Sequence, residues 1–309
     1  MPNSRNSKKL LVLFIDGIGL AKKSENNPIS RLFENETDGF GLQLVSSPKE
    51  FGNSILCPVD AKLNIKGEPQ SATGQTTIFT GINAAEFLGY HLPAFPNEEL
   101  VELILEKSIM KALKNRGISV TSANMYSEKF FEDRKDAIKN RFPVSTLTIE
   151  ASEAEFRMSK EYKEGKAVFA DITNELIRNR GYDIDIISPE EAGKRMRPIL
   201  DDFDFVFFEY FMTDYFGHKK KHREVENCVD ILNGFVSSIV EDLKLEHESI
   251  LIISDHGNAE DLTTGGHTYN PVPGLLISKI DSARKRISQC LSLSDIYQFI
   301  LDYYEDLSY

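Results

Sequence analysis

The feature that most constrains this chain is the apolar run Leu10-Leu11-Val12-Leu13-Phe14-Ile15, which stops abruptly at Asp16-Gly17. An unbroken apolar run of this length reads as a strand covered on both faces, as in a mostly parallel sheet, with an acid at its carboxyl end. Two further segments repeat the arrangement. Phe203–Phe208 leads to Glu209 and then Asp214, and Ser249–Ser254 leads to Asp255-His256-Gly257. In open α/β sheets, ligands bind outside the carboxyl ends of the strands, so these acids and histidines are the first place to look for a site.

Helical periodicity fills the intervals, over roughly Glu98 to Arg116, Lys166 to Arg180, Pro189 to Leu200, Glu224 to Leu243 and Leu293 to Tyr304, with a further strand expected at Ile118 to Ala123. Alternating strand and helix predicts an α/β fold with a doubly wound, mostly parallel sheet between helices. Residues 1–126 and 186–309 read as its core. The charged stretch 127–185 has few apolar runs and reads as a small insertion or cap, and the first eight residues as a tail.

The 309 residues carry 48 acidic and 36 basic side chains, a formal charge of −12, which disfavours nucleic acid and anionic membrane surfaces as partners. An acidic protein that handles phosphate needs local positive charge, and bound dications supply it. Cys57, Cys228 and Cys290 are too few and too scattered for a disulfide framework or a zinc-thiolate site. The apolar run after Lys9 is shorter than a signal-peptide core or a membrane span, which predicts a cytoplasmic protein.

Four local patterns carry chemistry, and each alone also has an ordinary structural explanation. Asp214 and His218 are four apart, so on a helical turn they face one cation, or simply form a capping pair. Asp255-His256-Gly257-Asn258 follows a buried strand directly, as a metal-binding turn or a plain one. Gly265-Gly266-His267-Thr268 is a histidine on a flexible loop. Ser71, in Gln70-Ser71-Ala72-Thr73-Gly74-Gln75, precedes a helix reaching about Asn83, whose N-terminus suits either a phosphate or a serine cap.

Taken in order, Phe14-Ile15-Asp16-Gly17, Ser71-Ala72-Thr73-Gly74-Gln75, Thr213–His218, Ser254–Glu260 and Gly266–Pro273 resemble the alkaline phosphatase superfamily. Within it the chain is most similar to the branch of cofactor-independent phosphoglycerate mutase and phosphopentomutase. The resemblance implies an alkaline phosphatase-like three-layer sandwich. It also implies one metal held by Asp214, His218 and His267, and a second by Asp16, Asp255, His256 and the oxygen of Ser71. Mixed imidazole and carboxylate donors suit zinc or manganese.

The expected activity is a two-metal phosphohydrolase or phosphotransferase acting on a small phosphorylated substrate through phospho-Ser71. Phosphomutase activity, or a non-catalytic metal- or phosphate-binding role, are the alternatives. Thr73 and Thr76 lie in the same turn as Ser71, and the resemblance alone selects the serine. Gln75 stands where the mutase motif has histidine, which puts a mutase-like substrate site in doubt and leaves the metal-ligand assignment unchanged. Arg134, Arg141, Arg157, Arg178 and Arg180 read as a solvated charged surface, and Tyr210, Phe211, Tyr215 and Phe216 as core packing.

Overall fold

In the computed structural model, residues 8–135 and 142–305 are described. Arg141 and the side chain of Arg134 lie outside them, as do residues 1–7 of the expected tail. The fold follows from the first strand, β1 (Lys9–Ile15), whose apolar side chains alternate between two faces. Leu11, Leu13 and Ile15 point into one core with Val206, Phe208 and Ile252, closed by Val225, Val229, Leu232 and Phe235 of the helix His222–Asp242. Leu10, Val12 and Phe14 point into the other, with Phe205, Phe207 and Leu251, closed by Ile78 and Phe79 of the helix Ser71–Thr80 and by Ile296, Phe299 and Ile300 of the helix Leu293–Tyr303. Two buried faces make three layers, as expected from the unbroken apolar run.

The sheet has seven strands. Besides β1 they are β2 (Lys49–Phe51), β3 (Ser54–Val59), β4 (Val120–Ser122), β5 (Phe205–Tyr210), β6 (Glu248–Ile253) and β7 (Val272–Ile277), in the order β2-β3-β7-β6-β1-β5-β4. The strands read from the sequence, β6, β1, β5 and β4, form the parallel half. The sheet is mixed, because β7 pairs antiparallel with β6, β3 with β7, and β2 with β3. These three strands were not anticipated, since Pro58 and Pro273-Gly274 argue against a strand interior. The structure tolerates them near the end of the ladder, where Pro58 sits opposite Pro273 next to the last pair, Val59 with Val272. Pro58 also lies beyond the end of β2, and Pro273 beyond the last β6 pair, Ile253 with Gly274.

Several helices are shorter than periodicity predicts. The Glu98–Arg116 pattern breaks into Glu98–Lys107 and Ile109–Asn115 at Ser108, whose extended ψ of 131° lets its hydroxyl bond Thr148 O at 2.9 Å. Of Lys166–Arg180, only Glu175–Asn179 is helical. Val168 is instead drawn into pairing beside Asn124, and Asp171 accepts from the backbone of Asn174 and Leu176. Pro189–Leu200 is two consecutive helices, Pro189–Lys194 and Met196–Asp202. Within 127–185, the helix Val144–Ala151 packs Val144, Leu147 and Ile149 into the main core, while Met125, Tyr162, Phe169 and Ile177 form a small separate cluster. No helix among the described residues is long and apolar enough to cross a membrane. All three cysteines are free and buried.

Candidate metal centre and active site

Because β6, β1 and β5 are parallel neighbours, their carboxyl ends lie side by side, and the residues just beyond them converge. Asp16 follows β1, Asp255 and His256 follow β6, and Asp214 lies on the helix Met212–Gly217 that follows β5. The antiparallel strands bring the rest. β7 starts at the edge where β6 ends, so the loop entering it delivers His267, while β3 ends at the same edge and leads to Ser71. All seven residues expected at the site are brought together, in two adjoining groups.

The first group is Asp214, His218 and His267; the second is Asp16, Asp255 and His256; within each, the potential ligand atoms lie within 4.8 Å of one another. His218 Nε2 is 3.3 Å from Asp214 Oδ2 and 3.1 Å from His267 Nε2. His256 Nε2 is 3.3 Å from Asp16 Oδ1 and 3.5 Å from Asp255 Oδ2. The His256 and His267 rings stack at 3.6 Å, so the two groups share a boundary. Gly17 permits this approach: its φ is +72°, and a Cβ there would lie 2.6 Å from Asp214 Cβ.

Backbone carbonyls orient two of the histidines. His267 Nδ1 faces Pro69 O at 2.6 Å and His218 Nδ1 faces Gly265 O at 3.0 Å. A carbonyl can only accept, so each Nδ1 carries a proton, and each Nε2 faces the cluster.

Charge in the centre is unbalanced. Burial, then the charges of Asp255 and Asp214, pushes the Asp16 carboxyl well above its ordinary range, and burial pushes Asp255 up to about 7. For Asp214, burial acts in the same sense but is outweighed by the hydrogen bond with His218 and the neighbouring imidazoles, which hold it low. That same bond raises His218 to about 9, whereas burial lowers His256 and His267. Asp16 Oδ1 and His256 Nδ1 are buried without a hydrogen-bond partner. Among the described residues, no lysine or arginine forms an ion pair with these three aspartates. Three carboxylates and three imidazoles converging without a compensating cation fit divalent metal ions.

Ser71 is the first residue of its helix, and the cap position is Gln70. Its hydroxyl does not cap; Oγ lies 2.9 Å from His256 Nε2 and borders a cavity of about 1220 Å³. Thr73 and Thr76 are fully buried, so the rival hydroxyls of the turn cannot meet a substrate. Gln75, one turn on, reaches the same cluster: its amide donates to Asp255 Oδ2 at 3.1 Å and Asp16 Oδ2 at 3.5 Å.

Two further residues were missed. Asn258 donates to Asp214 Oδ1 at 2.8 Å. Glu260, buried, accepts from Gly19 N at 2.9 Å, Asn258 N at 2.8 Å, Asn270 Nδ2 at 3.0 Å and the Thr268 hydroxyl. It thereby ties the loops after β1 and β6 to the loop entering β7. Both lie in the Ser254–Glu260 motif, and their presence there was the only available signal. Glu209 lines the cavity, bonded by Ser145 Oγ at 2.7 Å, and burial raises it to about 7.

Two surface assignments also change. Arg157 is buried, donating to Ser122 O, Lys166 O and Thr121 Oγ1, and Arg180 lines the cavity. Of the aromatic group, Tyr210 is core as expected, but Phe211 and Tyr215 line the cavity, Tyr215 with 47% of its surface exposed.

Comparison with known proteins agrees with this geometry. Curated relatives include the 2,3-bisphosphoglycerate-independent phosphoglycerate mutases of Antithamnion sp., 26% identical over 106 residues, and Parabacteroides distasonis, 32% identical over 110 residues. Each aligned stretch covers 32% of this chain and only 21–22% of the mutase, so the chain matches about a fifth of those proteins' length. Among solved structures, a Pyrococcus horikoshii protein superposes with a TM-score of 0.59 at 15% identity, covering 98% of this chain and 99% of that one. The alkaline phosphatase of the Antarctic bacterium TAB5 does so with a TM-score of 0.51 at 13% identity, covering 96% and 98%. At these identities the superpositions establish an alkaline phosphatase-like fold. Residues 8–305 match the model of the Metalloenzyme superfamily, and with that match spanning nearly its whole length the chain belongs to this superfamily.

Proposed function

We propose that the chain is a two-metal phosphoryl-transfer enzyme in which Ser71 is the nucleophile and phospho-Ser71 the intermediate. The observation that carries this reading is the placement of Ser71 Oγ, exposed to the cavity and 2.9 Å from His256 Nε2 where the two ligand groups meet. Asp214, His218 and His267 would hold one cation, and Asp16, Asp255, His256 and Ser71 Oγ the other. Bound zinc or manganese would supply Lewis acidity toward the phosphoryl oxygens and favour the serine alkoxide.

The chain's own residues do the remaining work. The free N–H groups at the start of the Ser71–Thr80 helix face the incoming phosphate with the positive end of the helix dipole. Ser71 Oγ forms a bond to phosphorus as the bond from phosphorus to the substrate's leaving oxygen breaks, and the leaving oxygen takes up a proton. Water then cleaves phospho-Ser71, giving inorganic phosphate and the free serine, or an acceptor hydroxyl takes the phosphoryl group. Gln75 and Asn258 keep Asp255, Asp16 and Asp214 aimed, and Glu260 fixes the three loops that present the ligands. Phe130, Phe169 and Arg180, all within 127–185, line the cavity, which supports a capping role for that stretch.

A small phosphorylated substrate in the cytoplasm fits the net charge of −12 better than a nucleic acid does. The similarity to the mutases supports a second reading, transfer within one substrate, although Gln75 replaces the histidine expected there. Incubating manganese- or zinc-loaded protein with an aryl phosphate, with Ser71→Ala as control, tests the proposal. Release of phosphate with a phosphoserine at Ser71 supports it, and preferential transfer to a sugar hydroxyl selects the mutase. Absence of both turnover and labelling refutes catalysis and leaves a binding protein.

A further inference from the structure

The cavity beside Ser71 holds about 1220 Å³, above the roughly 300–1,000 Å³ that ordinarily buries a drug-sized ligand. A three-carbon phosphate would leave most of it empty. Its wall is also distinctive, because Phe95, Tyr126, Phe130, Phe169, Phe211 and Tyr215 reach it from four segments of the chain. Tyr126 and Phe130 meet edge to face, with centroids 5.1 Å apart. Lys219 Nζ lies 3.4 Å from the Tyr215 centroid and occupies one face of that ring. The cavity also borders Lys129 and Arg180, cations that can meet carbonyl or ring-nitrogen acceptors.

From this wall we infer that the substrate is a phosphomonoester whose alcohol carries a planar aromatic group, seated against the rings while the phosphate reaches Ser71. The inference rests on the phosphoester reading of the site. Rings select planar partners because stacking adds to area burial, and a base stacked on an aromatic side chain gains about 1–3 kcal/mol. A sugar phosphate or glycerol phosphate has no planar face to lay against these rings and so gains nothing from stacking.

The test compares ligands matched at the phosphate. Calorimetric titration of manganese-loaded Ser71→Ala, which keeps the six other ligand side chains, is run with adenosine and uridine 5′-monophosphate against ribose 5-phosphate, and with benzyl against propyl phosphate. In each pair the phosphate and its primary carbon are shared, so the difference reports the ring. Nucleotides are expected to bind about 10- to 100-fold more tightly than ribose 5-phosphate, the stacking range expressed as affinity. Selectivity confined to the benzyl pair identifies a simple aryl alcohol in place of a nucleoside. Equal affinity within both pairs overturns the inference.

Phe95→Leu and Phe130→Leu keep apolar bulk but remove the π face, and each is expected to reduce the preference several-fold. Full preference in both variants overturns stacking on this wall. Turnover by the wild-type holoenzyme separates the two ideas. Selective binding without turnover of any of these esters refutes the catalytic reading and keeps the ligand class, whereas equal turnover of ribose 5-phosphate and nucleotides refutes the ligand class alone.

Discussion

Replacing Asp255 by asparagine should make the metal-free protein more stable at alkaline pH while weakening metal binding. Asp255 is fully buried, and burial raises its carboxyl from an ordinary 3.8 to about 7. The folded state therefore holds a proton that the unfolded chain releases, so stability is undiminished below pH 3.8 and falls as pH rises to about 7, where the loss is complete. A gap of about 3 pH units at about 1.4 kcal/mol per unit gives a penalty on the order of 4 kcal/mol for leaving this carboxylate charged without a cation. Asparagine is isosteric and carries no charge. Its oxygen can still accept from His256 N, but its NH₂ would face the Gln75 amide, costing about 1 kcal/mol unless Gln75 turns over. Urea denaturation of chelator-treated wild type and Asp255→Asn is the assay, run from pH 5 to pH 8.5. The variant should gain about 3 kcal/mol relative to wild type across that range, and saturating manganese should reverse the order at pH 8. A difference between the two proteins that does not change with pH would refute the reasoning, since His218, His256 and His267 titrate in both.

Ser71→Ala should lower phosphoryl transfer by at least about a thousandfold, by analogy with the loss of other catalytic nucleophiles, and abolish the phosphoserine seen by mass spectrometry while metal content stays near wild type. Gly17→Ala sets a Cβ 2.6 Å from Asp214 Cβ at a φ of +72°; about 2 kcal/mol or more of stability should be lost, with reduced metal stoichiometry by elemental analysis. Glu260→Gln must turn an NH₂ toward groups that already donate to the carboxylate, so about 2–4 kcal/mol should be lost in denaturant titrations, together with metal affinity. Chelation of the wild-type protein should remove activity, and manganese or zinc should restore it, as followed in the aryl phosphate assay.

The parallel half of the sheet was legible because period-2 burial on both faces leaves a continuous apolar run, as in Leu10–Ile15, and a run this short, cut off at Asp16, suits a strand better than a buried helix. Motif order was legible for the same reason, since Asp214 and Asp255-His256 each stand just past a strand. The antiparallel half was not. β3 and β7 contain prolines that are acceptable because Pro58 and Pro273 stand near the end of their ladder and beyond the ends of the outer neighbours, a property of register that neither segment displays alone. Helix breaks at Ser108 and around Val168 likewise depend on distant partners, Thr148 and Asn124. Arg157 was misread because a charged side chain ordinarily stays in water unless backbone carbonyls converge on it, and here Ser122 and Lys166 supply them.

By itself the sequence determined which groups are available, three carboxylates, three imidazoles and a hydroxyl at a helix start, and that most of them stand where strands end. Their meeting was decided by the tertiary structure. Parallel order set the β1, β5 and β6 ends together, the reversed direction of β7 carried His267 to the same edge, β3, running the same way as β6, carried Ser71 there, and Gly17 let the two ligand groups approach. Local periodicity reports only which face a residue buries, whereas convergence requires strand direction and register, which are fixed by contacts between segments as far apart as Lys9 and Glu248.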